Sequence, residues 1–168
     1  QKYGNIGGAS PYNEPLVSYE YVRDCAKLLC ERGLAVVLVT NGQMCAEPLQ
    51  NLLPYVDAMN IDLKGFTQTF YDWISGDLET TKTAIRLAAE AGVHVEVTTL
   101  VIPSRNDNEK EMEAEARWLA SISSEIPLHL SRYFPRYHCE IPMTPIKTLE
   151  KLQEIAKHHL HYVYLGNV

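Results

Sequence analysis

From Pro15 to Arg32 the apolar positions Leu16, Tyr19, Val22, Ala26 and Leu29 recur at helical spacing, with Glu20, Arg23, Lys27 and Glu31 between them. That pattern predicts an amphipathic helix. Pro15 suits its first turn and Gly33 its stop. "AVVLVT" then begins at Ala35, a continuous β-branched run of the kind covered on both faces of a sheet, and "TNG" ends it. The same order returns downstream, where a helix through "KTAIRLAAEAG" stops at Gly92 and feeds "VHVEVTTLVI". Strands are predicted at Tyr3 to Gly7, Ala35 to Thr40, Ala58 to Leu63, Val93 to Ile102, Leu128 to Tyr133 and His161 to Leu165, with helices between them. Such alternation marks an α/β fold with parallel strands joined by right-handed crossovers.

An open doubly wound sheet and a full or partial barrel share this element order, and the strand faces separate them. In "AMNIDLKG", Asn60, Asp62 and Lys64 fall on one side of a strand and Met59, Ile61 and Leu63 on the other. His94, Glu96 and Thr98 share a side of the next strand, and His129, Ser131 and Tyr133 a side of the one after. Pressed against helices, each unpaired polar group would cost about 1 to 3 kcal/mol. Facing a lumen they can bond one another, water or a ligand, so a partial (β/α) barrel is expected. One domain spanning residues 1–168 is expected, since no compositional break marks a linker.

The net charge of −6 and the lack of a Lys/Arg cluster argue against a nucleic-acid partner. No apolar run approaches the roughly 20 residues of a membrane span, and no long apolar segment opens the chain, so no membrane partner and a cytoplasmic location are expected. Four cysteines without dense regular spacing fit a reducing compartment. Cys25 and Cys30, five apart on a helix, point about 140° away from each other and cannot easily grip one metal. No metal ligands are assigned within this chain.

Parallel α/β barrels carry their sites at the carboxyl ends of the strands. Here those ends read "SPYNEP", "TNG", "DLKG", "TLVIPSRND", "SRYFPRY" and "LGNV". Glu14 stands before a helix opened by Pro15, where its carboxylate either accepts from an ammonium ligand or serves the helix N-terminus. Asp62 and Lys64 either pair as a structural salt bridge or offer opposite charges to one ligand. Tyr133, Phe134, Arg136 and Tyr137 either shape a substrate pocket or pack the rim.

Together "YNEPL", "TNG", "NIDLK", "VEVTTLVIP" followed by "ND", "SRYFPRY", "TPIKTLEK" and "YVYLGNV" resemble the radical S-adenosylmethionine superfamily. Within it the likeness is to pyruvate formate-lyase activating enzymes and the radical protein of the AmmeMemoRadiSam system. The resemblance covers essentially the whole chain and implies a partial (β/α)6-type barrel with a 4Fe-4S cluster and S-adenosylmethionine at the strand ends. It implies reductive cleavage of the sulfonium to a 5'-deoxyadenosyl radical that abstracts hydrogen from a substrate or a protein glycine. An electron donor such as flavodoxin or ferredoxin and a protein substrate would be the partners.

Carried over by motif, Asn13, Glu14 and Pro15 match the region that holds the methionyl amino group, and Thr40 and Asn41 match the loop after the next strand. Asp62 and Lys64 match the Asp-Leu-Lys motif near the methionyl carboxylate. Val101 and Arg132 match adenosine-side contacts, and Tyr133, Arg136 and Tyr137 a substrate pocket. Tyr12-Asn13 replaces the family's Gly-Gly, and Val39 stands where activating enzymes commonly carry an aspartate for a monovalent cation. No Cys-x3-Cys-x2-Cys motif precedes "SPYNEP", so the chain reads as the C-terminal portion of a longer enzyme, with cluster ligands outside it and the isolated piece inactive. Two other readings stay open. One is a non-catalytic barrel fragment that binds S-adenosylmethionine or a protein, and the other a Schiff-base aldolase using Lys64.

Overall fold

A computed structural model describes residues 4–168. In chain order its elements are β1 (Gly7–Ser10), α1 (Tyr19–Cys30), β2 (Ala35–Thr40), α2 (Ala46–Leu52), β3 (Ala58–Asp62), α3 (Gln68–Trp73), α4 (Leu78–Glu90), β4 (His94–Val101), α5 (Glu109–Ile122), β5 (Leu128–Arg132), α6 (Ile146–Lys157) and β6 (Val163–Gly166). The six strands form one sheet in sequence order. The chain divides into two compact units, one built from the residues up to Asp62 with Glu79–Val95, the other from Leu63–Leu78 with Glu96–Val168.

In the first unit β1, β2 and β3 pair in parallel, with Gly7 opposite Ala35 and Val37 opposite Ala58. The first strand lies later than the sequence pattern suggests, at Gly7–Ser10, and Tyr3 of the expected Tyr3 to Gly7 span falls outside the described residues. The glycines explain the shift. A Cβ on Gly7 would sit 2.4 Å from the Ala35 carbonyl oxygen, and one on Gly8 would sit 2.8 Å from Leu29 Cδ1, so this pair permits close approach to β2 and α1. The helix predicted from Pro15 opens as a 3-10 turn over Pro15–Ser18, because Ser18 at φ −109°, ψ 47° departs from helical geometry before α1 starts. Val22 and Ala26 of α1 are buried on one face, and Leu38, Leu49, Leu52, Met59, Ile61, Ile85 and Ala88 give this unit its core.

In the second unit β4, β5 and β6 pair in parallel, with Thr98 opposite His129 and His129 opposite Tyr164. Val97, Val101, Leu128 and Leu130 are inaccessible to solvent, as are Ala116 and Leu119 of α5 and Leu149 and Ala156 of α6. The last strand begins at Val163 rather than His161: His161 and Tyr162 are exposed, and the Tyr162 carbonyl accepts from Leu128 N at 2.9 Å just before the ladder starts. The alternation predicted for the strand faces holds. Met59, Ile61 and Leu63 are buried while Asn60, Asp62 and Lys64 are half-buried, and Glu96, Thr98 and His129 are half-buried between buried neighbours; at the strand ends His94 is exposed, Ser131 is half-buried beside the half-buried Arg132, and Tyr133 is buried. Glu96 Oε2 and His129 Nε2 lie 2.9 Å apart, and the His129 ring stacks on Tyr164. Glu96 and His129 on neighbouring strands thus satisfy one another, as polar groups sharing one face can.

Candidate functional site

The first unit gathers its candidate residues around one carboxylate. Glu14 caps the Pro15–Ser18 turn by accepting from Leu16 N at 3.1 Å. The same carboxylate accepts from Thr40 Oγ1 at 2.5 Å and from Asn41 N at 2.7 Å. Both roles weighed for Glu14 thus begin from one geometry, a cap that also fastens the end of β2. Thr40, 2% exposed, accepts in turn from Gly42 N at 3.1 Å. Asn41 turns the chain by accepting from Gln43 N, and its carbonyl accepts from Thr81 Oγ1 of α4. Gly42 sits at φ +68°, where a side chain would be strained, and a Cβ there would press on Ile61 at 3.1 Å. Pro15 is buried, Asn13 is exposed and Asp62 is half-buried at the end of β3.

The second unit fixes its strand ends with buried polar side chains. Asn106, 2% exposed, donates from Nδ2 to the carbonyls of Lys64 and Leu100 at 2.7 and 2.9 Å and accepts from Ile102 N at 2.6 Å. The Lys64 backbone is thereby held on one side, and Tyr71 Oη accepts its N–H at 3.2 Å on the other. Thr144, fully buried, donates to the Val101 carbonyl at 2.6 Å, accepts from Tyr133 N at 3.3 Å and donates its own N–H to the Tyr133 carbonyl. Val101 is inaccessible, and its carbonyl is taken up by Thr144. Arg132 Nε donates to the Thr144 carbonyl at 2.7 Å, and its guanidinium lies over the Phe134 ring at 5.0 Å. Arg132, Tyr133 and Arg136 line one cavity with Leu100, Phe134 and Asn167. Tyr137 does not join them: it is 96% exposed at φ +54° and packs on His138.

Beneath the Asp-Leu-Lys stretch lies a chain of polar groups that sequence reasoning did not single out. Thr99 Oγ1 is 2.9 Å from the Leu63 carbonyl and 2.6 Å from Glu115 Oε1. A hydroxyl carries one hydrogen, and a carbonyl can only accept. Thr99 therefore donates to Leu63, and Glu115 must bring its own proton. Burial agrees, because Glu115 is 1% exposed and desolvation pushes its carboxyl up to about 8. One turn earlier Glu111 accepts from Phe66 N at 2.6 Å and from Asn108 Nδ2, while burial raises its pKa as well. Asn108 caps α5 on Glu111 N, so "NEKE" was a readable capping signal. Glu115 had one too, since it occupies the same helix stripe as the buried Met112 and Leu119.

Parallel strands, helical crossovers and polar residues collected at the carboxyl strand ends define a class: α/β proteins that seat a ligand at those ends. The family model of the radical SAM superfamily matches residues 10–119. The chain belongs to that superfamily. A domain of a pyruvate-formate lyase-activating enzyme from Bacteroides vulgatus superposes with a TM-score of 0.81 at 22% identity, covering 98% of this chain and all of that one. A radical SAM methyltransferase from Sphaerobacter thermophilus superposes at 0.74 with 16% identity, covering 90% of this chain and 48% of that one. Streptococcus suis SuiB bound to S-adenosylmethionine reaches 0.71 at 11% identity, with 93% of this chain and 38% of that one covered. The expected fold class, an α/β partial barrel of the radical SAM type, is thereby established. The uncharacterized protein MJ0808 of Methanocaldococcus jannaschii is 39% identical over 170 residues, covering 99% of this chain. The chain spans about half the length of that curated relative.

Proposed function

We propose that this chain is the S-adenosylmethionine-holding part of a radical enzyme of the activating-enzyme type. The observation that carries this reading is the Glu14 carboxylate. It accepts three hydrogen bonds, from Leu16 N, Thr40 Oγ1 and Asn41 N, which leaves open one of the roughly four acceptor positions a carboxylate offers. An ammonium donor fits that position, with Asn13, Pro15, Thr40 and Asn41 around it. In the same unit Asp62 is a second acceptor. In the second unit Lys64 is a cation suited to a carboxylate, and the stretch around Val101 and Arg132 is the proposed adenosine side. Bound S-adenosylmethionine supplies, on one-electron reduction, the species that abstracts hydrogen from the substrate. This chain's own part is to orient the cofactor.

The described residues do not fit the 4Fe-4S cluster itself. Among them no three His, Cys, Asp or Glu side chains gather to hold a metal, and Cys25, Cys30, Cys45 and Cys139 are free thiols. Its ligands are assigned to residues outside this chain. A flavodoxin or ferredoxin is the proposed electron donor, and a substrate carbon, of a small molecule or of a protein glycine, the proposed site of hydrogen abstraction. Cytoplasmic residence belongs to the same reading, and no helix among the described residues is long and apolar enough to cross a membrane. The test uses the full-length protein, reconstituted anaerobically with iron and sulfide and reduced with dithionite. Release of 5'-deoxyadenosine is expected, and its absence in a protein carrying a full cluster would reject the reading.

A further inference from the structure

The loop leaving β5 carries two guanidinium groups four residues apart, Arg132 and Arg136, and both line a cavity of about 560 Å³. Leu100, Tyr133, Phe134 and Asn167 complete its wall. Arg132 is held in place by Nε on the Thr144 carbonyl at 2.7 Å, by Nη2 on Met143 Sδ at 3.3 Å and by the Phe134 ring. A guanidinium has five N–H donors, so these contacts leave most of its fork available. Arg136 is exposed at the same wall. Among the described residues neither arginine meets a carboxylate at ion-pair distance. Among the described residues no acidic side chain lines this cavity, so two like charges share one concave wall.

Building on the radical-enzyme reading, we infer that this cavity recognises the substrate through an oxyanion, carboxylate or phosphate, carried on an apolar body. Arg132 and Arg136 clamp the oxyanion, because planar forks match such groups with paired hydrogen bonds. Phe134 and Leu100 cover the body. Asn167, at φ +60° just past β6, adds an amide to the wall. The Arg132 fork needs no rearrangement to bind, since the Thr144 carbonyl already orients it.

Phenyl phosphate, benzoate and the uncharged benzyl alcohol, titrated calorimetrically into the full-length protein at low salt, test this. Phenyl phosphate or benzoate is expected to bind, with the tighter of the two naming the oxyanion. Arg136→Gln is expected to weaken that binding about tenfold, the worth of one charge-assisted contact. Arg117→Gln, which removes a surface partner of Glu113 on α5, leaves it unchanged. No binding of either anion, equal binding of benzyl alcohol, or equal effects of the two substitutions would overturn the inference. S-adenosylmethionine is titrated into the same variants to keep the two readings apart. Equal loss of the cofactor and the anion in Arg136→Gln would make this the cofactor's carboxylate site and overturn the substrate assignment. Anion binding that responds to Arg136→Gln, in a cluster-loaded full-length protein to which S-adenosylmethionine does not bind, would support the oxyanion pocket and count against the cofactor reading.

Discussion

Replacing Glu115 by Gln should stabilise the chain at neutral pH and remove much of its pH dependence. The carboxyl titrates near 4.5 in the unfolded chain and near 8 when folded. Between those values the folded state holds a proton that the unfolded state has released, so stability falls as pH rises through that window and levels off above it. At pH 7 the difference of about 2.5 pH units above the unfolded value corresponds to about 3 kcal/mol of lost stability. Gln keeps an N–H donor for Thr99 and does not titrate. Urea unfolding followed by circular dichroism at pH 5, 6, 7 and 8 measures the effect. With a slope of about 2 kcal/mol/M, the midpoint of the variant should exceed that of the parent by about 1.5 M at pH 7, and by much less at pH 5. Parallel midpoint curves for the two proteins would refute the claim that Glu115 is the neutral donor in the chain through Thr99 to the Leu63 carbonyl.

Two further substitutions probe how the strand ends are held. Asn106→Ala removes the bonds to Ile102 N and to the Lys64 and Leu100 carbonyls, and should lower stability by about 3 kcal/mol in the same urea assay. Thr144→Val strands the buried Val101 carbonyl and should cost about 2 kcal/mol while leaving side-chain volume nearly unchanged, read as a lower melting temperature in calorimetry.

The fold was legible because its signals are periodic. Alternation along β3, β4 and β5 identified the polar faces, and the Glu96–His129 contact is what two polar strands side by side should make. The runs of apolar residues were less informative about ends. The first strand moved to Gly7–Ser10 because backbone approach at two glycines, a feature without a side-chain signature, sets where pairing begins. Glu14, Thr40 and Asn41 were legible as strand-end residues, and they meet directly. Asn106, Thr144 and Glu115 were not singled out as members of the site, because each has a partner, a backbone carbonyl or a hydroxyl, that lies 16 to 43 residues away. Tyr137 shows the opposite limit: an aromatic inside a motif can still point into solvent when its backbone turns left-handed.

Affinity for S-adenosylmethionine in the reconstituted full-length protein, compared between the parent and Glu14→Gln, tests the role given to that carboxylate most directly. Glu14→Gln replaces one acceptor oxygen by a donor, and a loss of about tenfold is expected from one charge-assisted contact, with the fold checked by circular dichroism. An unchanged dissociation constant in a folded variant would contradict the proposal that this chain holds the cofactor's ammonium group.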